Sequence, residues 1–110
     1  MPRRPPAASL LLAACAALLF HPLGSAAKTT HTVVIEGTRY APAALAIKRG
    51  DAVVWINKDP FPHTVTATGK AFDSRSIAAG ARWNWTLTKA GRYDYVCTFH
   101  PTMKASVTVR

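Results

Sequence analysis

The sequence predicts an all-β domain, a sandwich or barrel of about seven or eight short strands. Apolar and β-branched residues alternate with polar ones along most of the chain, and turn residues interrupt this pattern at short intervals. No segment keeps the periodicity of a helix. Short alternating segments separated by turns are typical of antiparallel sheets that pack face to face. A chain of 110 residues has room for one such domain.

The strands are predicted in order from alternation and turn residues. They are expected at residues 32–36, 44–48, 52–57, 63–68, 82–88, 92–97 and 105–109, with an irregular connection at 69–80. Segment 52–57 (AVVWIN) is apolar on both faces, which predicts a central strand. The aromatic residues on alternating strand faces predict the core, and these are Trp55, Trp83, Trp85, Tyr93 and Tyr95. Tyr93, two residues after Gly91, is expected to form a tyrosine corner.

The first 27 residues are typical of a secretory signal peptide. Arg3 and Arg4 form a basic start, residues 7–20 are apolar, and small residues at 24–27 suit a signal peptidase. A membrane-spanning helix needs about 20 apolar residues, and this apolar run is shorter. We therefore expect an exported, periplasmic protein whose mature domain is residues 28–110, with no membrane span.

A lipoprotein signal is the alternative interpretation of this segment. Residues 12–15 (LAAC) resemble a lipobox, which would place a lipid anchor on Cys15. The apolar run continues past Cys15 to Phe20, where a lipoprotein signal usually becomes polar. This context favours simple cleavage after Ala27.

The chain is basic, with a formal net charge of +9 that falls to +7 when Arg3 and Arg4 leave with the signal. Its basic residues are scattered singly, whereas nucleic-acid sites cluster them, so we expect no nucleic-acid partner. An acidic protein partner fits this charge better. We expect the protein to be a monomer.

Cys97 is the only cysteine left after signal cleavage. In an oxidising compartment a lone cysteine is a free thiol, an intermolecular bridge or a metal ligand. His100 follows it by three residues and Met103 by six, on a short connection that Pro101 keeps from being helical. A tight loop can turn these three side chains toward one point. Taken singly, Cys97 could be an inert core residue and Met103 a core side chain, but neither role explains their spacing with His100.

These ligand types predict a copper site. Thiolate, imidazole and thioether suit copper, and two histidines with one cysteine and a weak axial methionine form a blue-copper centre. The second histidine is expected to be His63, which follows the proline-rich loop 59–62 at the start of a predicted strand. His31 is expected to face solvent. Structural zinc sites use more cysteine and histidine and no methionine.

Segments 50–65 (GDAVVWINKDPFPHTV) and 90–103 (AGRYDYVCTFHPTM) resemble the small cupredoxins, and most closely the amicyanin type, which shares the short Cys-x-x-His-x-x-Met loop. Plastocyanin and pseudoazurin are more distant relatives. The resemblance implies a Greek-key β-sandwich with copper at one end. Thr64 stands where amicyanins have an asparagine that links the two ligand loops, so here the link is lost or is made by the Thr64 hydroxyl.

We therefore expect a carrier of single electrons that is not an enzyme. Copper oxidases and nitrite reductases need further histidine-rich copper sites, and only His31 is left over. A periplasmic copper-handling protein is the alternative function, although such proteins favour methionine-rich or histidine-rich exposed sites. Redox proteins such as a c-type cytochrome or a dehydrogenase are the expected partners. Phe61, Pro62, Phe99 and Pro101 flank the ligands and are expected to form the docking patch.

Overall fold

The computed structural model describes residues 28–110, and within them the chain forms eight strands and no helix. The strands are β1 (Thr30–Ile35), β2 (Tyr40–Ala41), β3 (Ala44–Ile47), β4 (Ala52–Asn57), β5 (Thr66–Ala67), β6 (Arg82–Thr86), β7 (Gly91–Cys97) and β8 (His100–Val109). The predicted signal peptide and Cys15 lie outside the described residues and stay predictions.

Two four-stranded sheets form a β-sandwich, as the sequence predicted. Their strand orders are β2-β1-β4-β6 and β3-β8-β7-β5. β4 lies between β1 and β6, which confirms the central strand expected from its apolar faces. Alternate residues of both sheets, among them Val33, Val53 and Val107, are fully buried between them. Each such burial contributes about 1.5–3 kcal/mol to folding.

The expectation of purely antiparallel pairing was wrong at two places. β1 pairs with β4 in parallel, and β3 pairs with β8 in parallel. The reason is that the chain crosses between the sheets, so β3 and β4 are consecutive in sequence but belong to different sheets. Strands that become neighbours after such a crossover need not alternate in direction.

Several strand boundaries also differ from the prediction. The sequence analysis did not predict β2. The predicted strand 63–68 is shorter, since only β5 is a strand there, and His63 and Thr66 form isolated bridges to the connection 69–80. That connection is irregular, as expected. β8 begins at His100, so the connection predicted between residues 97 and 105 is a two-residue turn followed by strand.

Most of the predicted aromatic core is confirmed. Trp55 and Tyr95 are fully buried, and Trp83 and Tyr93 are partly buried against the core. The Tyr93 hydroxyl donates to the Lys89 carbonyl at 2.7 Å, which is the expected tyrosine corner. The prediction for Trp85 was wrong, since 40% of it is exposed. β6 is an edge strand, so the second sheet does not cover its far end.

His31 is not the freely solvated residue that the sequence suggested. It is half-buried, and its Nε2 lies 2.9 Å from Asp51 Oδ2. Asp51 also accepts hydrogen bonds from the backbone N–H groups of Thr29 and Lys48. These contacts fasten the start of β1 to the turn between β3 and β4. Among residues 28–110, no helix is long and apolar enough to cross a membrane.

Candidate metal centre

A tight hairpin places Cys97 and His100 side by side. β7 ends at Cys97, β8 begins at His100, and these two residues are register partners next to an irregularity at Val96 and Cys97. Only Thr98 and Phe99 separate the strands. The short turn brings Cys97 Sγ to 3.7 Å from His100 Nδ1.

His63 reaches the same point from the connection between β4 and β5. Its backbone exchanges two hydrogen bonds with Ile77, which hold this otherwise irregular segment in place. The imidazole is fully buried, and its Nδ1 lies 3.6 Å from Cys97 Sγ. The structure therefore brings together three of the four residues that the sequence predicted as ligands.

The spacing of the three donor atoms fits one metal ion. The donor atoms of His63, Cys97 and His100 all lie within 4.8 Å of one another, and they form the only such cluster of histidine, cysteine or acidic residues within residues 28–110. Metal–sulfur and metal–nitrogen bonds of about 2.3 and about 2.0 Å, at about 120°, separate sulfur and nitrogen by about 3.7 Å. The observed separations of 3.6 and 3.7 Å match this value.

Asp59 orients the His63 ring. The Asp59 carboxylate lies 2.7 Å from His63 Nε2, and both side chains are buried. An ionised carboxylate only accepts hydrogen bonds, so Nε2 carries the proton and Nδ1 presents its lone pair toward Cys97. The sequence analysis missed Asp59. Its signal was a carboxylate four residues before a candidate ligand histidine, in the same proline-rich loop.

The charge of Asp59 is maintained by its surroundings. Burial raises the pKa of the Asp59 carboxyl, but hydrogen bonds from the Thr38 backbone, the His63 ring and the Gly37 backbone together lower this pKa below its ordinary value. Its position is fixed as well, because the Asp59 backbone N–H donates to Asn57 Oδ1 at 3.0 Å. The carboxylate is therefore ionised and held in place at neutral pH.

Thr64 links the two segments that carry the cluster. The Thr98 backbone N–H donates to Thr64 Oγ1 at 2.9 Å, and the two hydroxyl oxygens lie 3.3 Å apart. The Thr64 backbone N–H donates to Cys97 Sγ at 3.3 Å. Of the two expectations for this position, the link through the Thr64 hydroxyl is confirmed.

Met103, the fourth predicted ligand, is buried in β8, three residues after His100. Burial fits an axial ligand and a core side chain equally well. Its assignment as a ligand stays a prediction.

Apolar side chains surround the exposed edge of the cluster. Phe99 is 51% exposed and Phe61 is 40% exposed, and with Trp85 they are the large exposed hydrophobic residues of the described chain. The Phe61 ring centre lies 5.9 Å from that of His100 and 5.2 Å from that of His63. His100 is half-buried, whereas His63 and Cys97 are fully buried. The cluster thus meets solvent at His100, within an apolar rim.

Comparison with known proteins assigns this architecture to a family. The family described as "Cupredoxin-like domain" matches residues 8–109. Amicyanin from Paracoccus denitrificans is 34% identical over 82 residues, which are 70% of this chain and 63% of that protein. Plastocyanin from Scenedesmus fuscus is 29% identical over 84 residues, covering 64% of this chain and 86% of that protein. The chain thus spans about two thirds or less of the length of the amicyanins it matches.

A solved structure gives the same result. A variant of amicyanin in the Cu(I) state superposes with a TM-score of 0.69 at 34% identity, covering 74% of this chain and 82% of the other. The sandwich fold is therefore shared with a solved structure of amicyanin. This chain belongs to the cupredoxin-like domain family.

Proposed function

We propose that this protein is a blue-copper electron carrier, in which His63, Cys97, His100 and Met103 would hold one copper ion that supplies a one-electron redox couple. The cluster of one cysteine sulfur and two Nδ1 atoms, spaced for a single ion, is the observation that carries the proposal. The protein is a carrier rather than an enzyme, as its relatives named amicyanin and plastocyanin indicate.

The ligand set selects copper over zinc. Soft sulfur ligands with two imidazoles suit an ion that alternates between one and two positive charges. The bound ion supplies a one-electron redox couple. His63 and Cys97 would hold the ion from inside the sandwich, His100 would hold it at the surface, and Met103 is the proposed fourth and weakest ligand.

The residues around the site favour electron transfer because they restrict rearrangement. Asp59 fixes the ring of His63, and Thr64 fixes the segment that follows Cys97. Ligands that are held by further hydrogen bonds move little when the charge of the ion changes. The exposed edge of His100 provides the path to a partner, and no substrate needs to bind.

Phe61 and Phe99 supply an apolar docking surface around that edge. Apolar patches on otherwise polar proteins mark interaction sites. A basic protein with such a patch suits an acidic redox partner, of which a c-type cytochrome and a dehydrogenase are the candidates. We also propose that the chain is exported to the periplasm as a monomer after removal of residues 1–27, as its basic and apolar N-terminal pattern suggests.

A copper-handling role is less well supported. Rapid exchange of metal requires accessible ligands, and His63 and Cys97 are fully buried. Within residues 28–110 the other histidine, His31, is hydrogen-bonded to Asp51 and lies outside the cluster. The described part of the chain has no second cluster of ligands for the additional copper site that an enzyme would need.

The visible spectrum of the oxidised, copper-loaded protein tests the proposal. We expect an intense band from thiolate-to-copper charge transfer, which Cys97→Ser abolishes while circular dichroism still reports a folded sandwich. His31→Ala is the matched control, because it removes a histidine outside the cluster and should leave the band unchanged. A band that survives in Cys97→Ser would refute the site.

Met103→Leu tests the axial position separately. The loss of a weak donor destabilises the oxidised ion more than the reduced ion, so the reduction potential should rise while the blue band persists. Voltammetry measures this change. An unchanged potential would show that Met103 is a core residue only.

A further inference from the structure

A row of five aromatic rings crosses the sandwich from the surface to the metal centre. We call it the aromatic row, and its members in order are Trp85, Trp83, Trp55, Tyr95 and Tyr40. The row contains all three tryptophans and two of the three tyrosines of the sequence.

Each ring of the aromatic row contacts the next. Trp85 and Trp83 are stacked at 5.5 Å between ring centres, with 13° between their planes. Trp83 and Trp55 are register partners on β6 and β4, and their centres lie 5.4 Å apart. Trp55 lies 5.6 Å from Tyr95 and donates its Nε1–H to the Tyr95 hydroxyl at 3.1 Å. The rings of Tyr95 and Tyr40 lie 4.7 Å apart.

The two ends of the row lie in different surroundings. Trp85 at the outer end is 40% exposed, whereas Trp55, Tyr95 and Tyr40 are buried. At the inner end the Tyr40 hydroxyl donates to the Thr64 carbonyl, and the Thr64 N–H donates to the Cys97 sulfur. The row therefore connects an exposed indole, through ring contacts and the Thr64 backbone, with the Cys97 sulfur of the metal centre.

The buried tyrosines are suited to pass an electron rather than to keep a radical. A phenol that loses an electron is trapped as a neutral radical only if its proton also leaves. The Tyr95 side chain is buried in the core, where its hydroxyl accepts a hydrogen bond from Trp55 Nε1–H. The Tyr40 proton faces a carbonyl, which is a poor base.

We propose that the aromatic row is a repair path, through which the reduced metal centre returns an electron to a radical formed on Trp85. This inference rests on the proposed copper site. A one-electron radical oxidant of the azide or peroxyl class takes one electron from the Trp85 indole and leaves as its anion. The oxidised indole takes back one electron through the row. If it has released its N–H proton to water, it also takes one proton back from water. In total the oxidant gains one electron and the metal centre loses one.

The direction of transfer follows from general redox chemistry. An indole radical is a much stronger oxidant than a thiolate-ligated copper ion, so electrons flow outward along the row to a radical and never from an intact indole to the metal. The row therefore does not compete with transfer through the exposed edge of His100. It adds a protective activity to the carrier.

Pulse radiolysis with the azide radical tests the proposal on the reduced, copper-loaded protein. The tryptophan radical should decay in a phase whose rate is independent of protein concentration, while the thiolate-to-copper band grows at the same rate. Metal-free protein should lack this phase and accumulate oxygen on Trp85, which peptide mass spectrometry measures. Trp83→Phe, which interrupts the row, should lose the phase and show the same accumulation.

Two further variants complete the test. Trp85→Phe, at an exposed position that tolerates substitution, should remove the phase and leave only slower oxidation that depends on protein concentration. Tyr93→Phe is the matched control, because Tyr93 is an oxidisable ring outside the row, and it should keep the phase. Persistence of the phase in both Trp83→Phe and Trp85→Phe would overturn the repair path. Absence of the thiolate-to-copper band before irradiation would instead overturn the copper site.

Discussion

Asp59 shows that one side chain outside the ligand set decides how a ligand is presented. Its carboxylate accepts a hydrogen bond from His63 Nε2–H, which leaves the Nδ1 lone pair free for a metal. The same carboxylate accepts from the backbones of Gly37 and Thr38, so it also joins the turn after β1 to the metal centre. Orientation of the ligand and cohesion of this end of the sandwich therefore depend on the same group.

Asp59→Asn is expected to weaken copper binding and to raise the reduction potential. Loss of a partner that orients a ligand histidine lowers metal affinity by about 10- to 100-fold. Loss of its negative charge also disfavours the more positive oxidised ion. Competition with a chelator measures the affinity, and voltammetry measures the potential. Glu36→Gln removes the same charge from an exposed side chain in the neighbouring turn, and an equal effect there would show that the hydrogen bond to His63 is unimportant.

At the level of strands, the sequence predicted what depends on local pattern. The alternation around Trp83 and the apolar faces of β4 were sufficient to predict strand positions, and the spacing of Cys97 and His100 was sufficient to predict that these two side chains lie together. The parallel pairings were not predictable, because they depend on which sheet the chain enters after a crossover. Trp85 was misplaced for a related reason, since alternation specifies a face but not whether that face is covered.

The Asp51 contacts join elements at the end of β4 opposite the metal centre. Hydrogen bonds from the His31 ring and the Thr29 backbone lower the pKa of the Asp51 carboxyl, against a raising effect of burial, with a smaller contribution from the Lys48 backbone. A lowered pKa means that the ionised carboxylate stabilises the folded chain. That contribution is complete above the unfolded pKa of about 3.9 and is lost as the pH falls through the lower folded pKa.

Asp51→Asn should therefore lower the free energy of unfolding at neutral pH, and its deficit relative to the parent protein should shrink as the pH falls below about 4. Urea unfolding of the metal-free protein over a series of pH values measures this difference. Asp94→Asn is the control, because Asp94 pairs with Arg92 in a surface salt bridge that contributes little. A deficit for Asp51→Asn that is constant with pH would contradict the assignment.

At the scale of the whole molecule, the position of each charge makes it possible to separate electrostatic steering of a partner from the effect of net charge. Residues 28–110 carry a formal charge of +7, since the other two basic residues are Arg3 and Arg4. Lys58 is exposed and directly follows β4 at the metal end, whereas Lys89 is exposed in the turn between β6 and β7 at the opposite end. A partner that docks around His100 passes close to Lys58 and far from Lys89.

Lys58→Glu is expected to slow association with an acidic redox partner several-fold more than Lys89→Glu, although both variants change the net charge by the same amount. Screening acts over about 8 Å at physiological ionic strength, so a charge beside the docking surface steers the partner and a charge at the opposite end does not. Stopped-flow electron transfer at a series of salt concentrations measures the association rates. The parent rate should fall as salt rises, and the two variants should converge on it. Equal slowing by both variants would show that net charge alone acts, and rates independent of salt would show that the apolar rim of Phe61 and Phe99 docks the partner without steering.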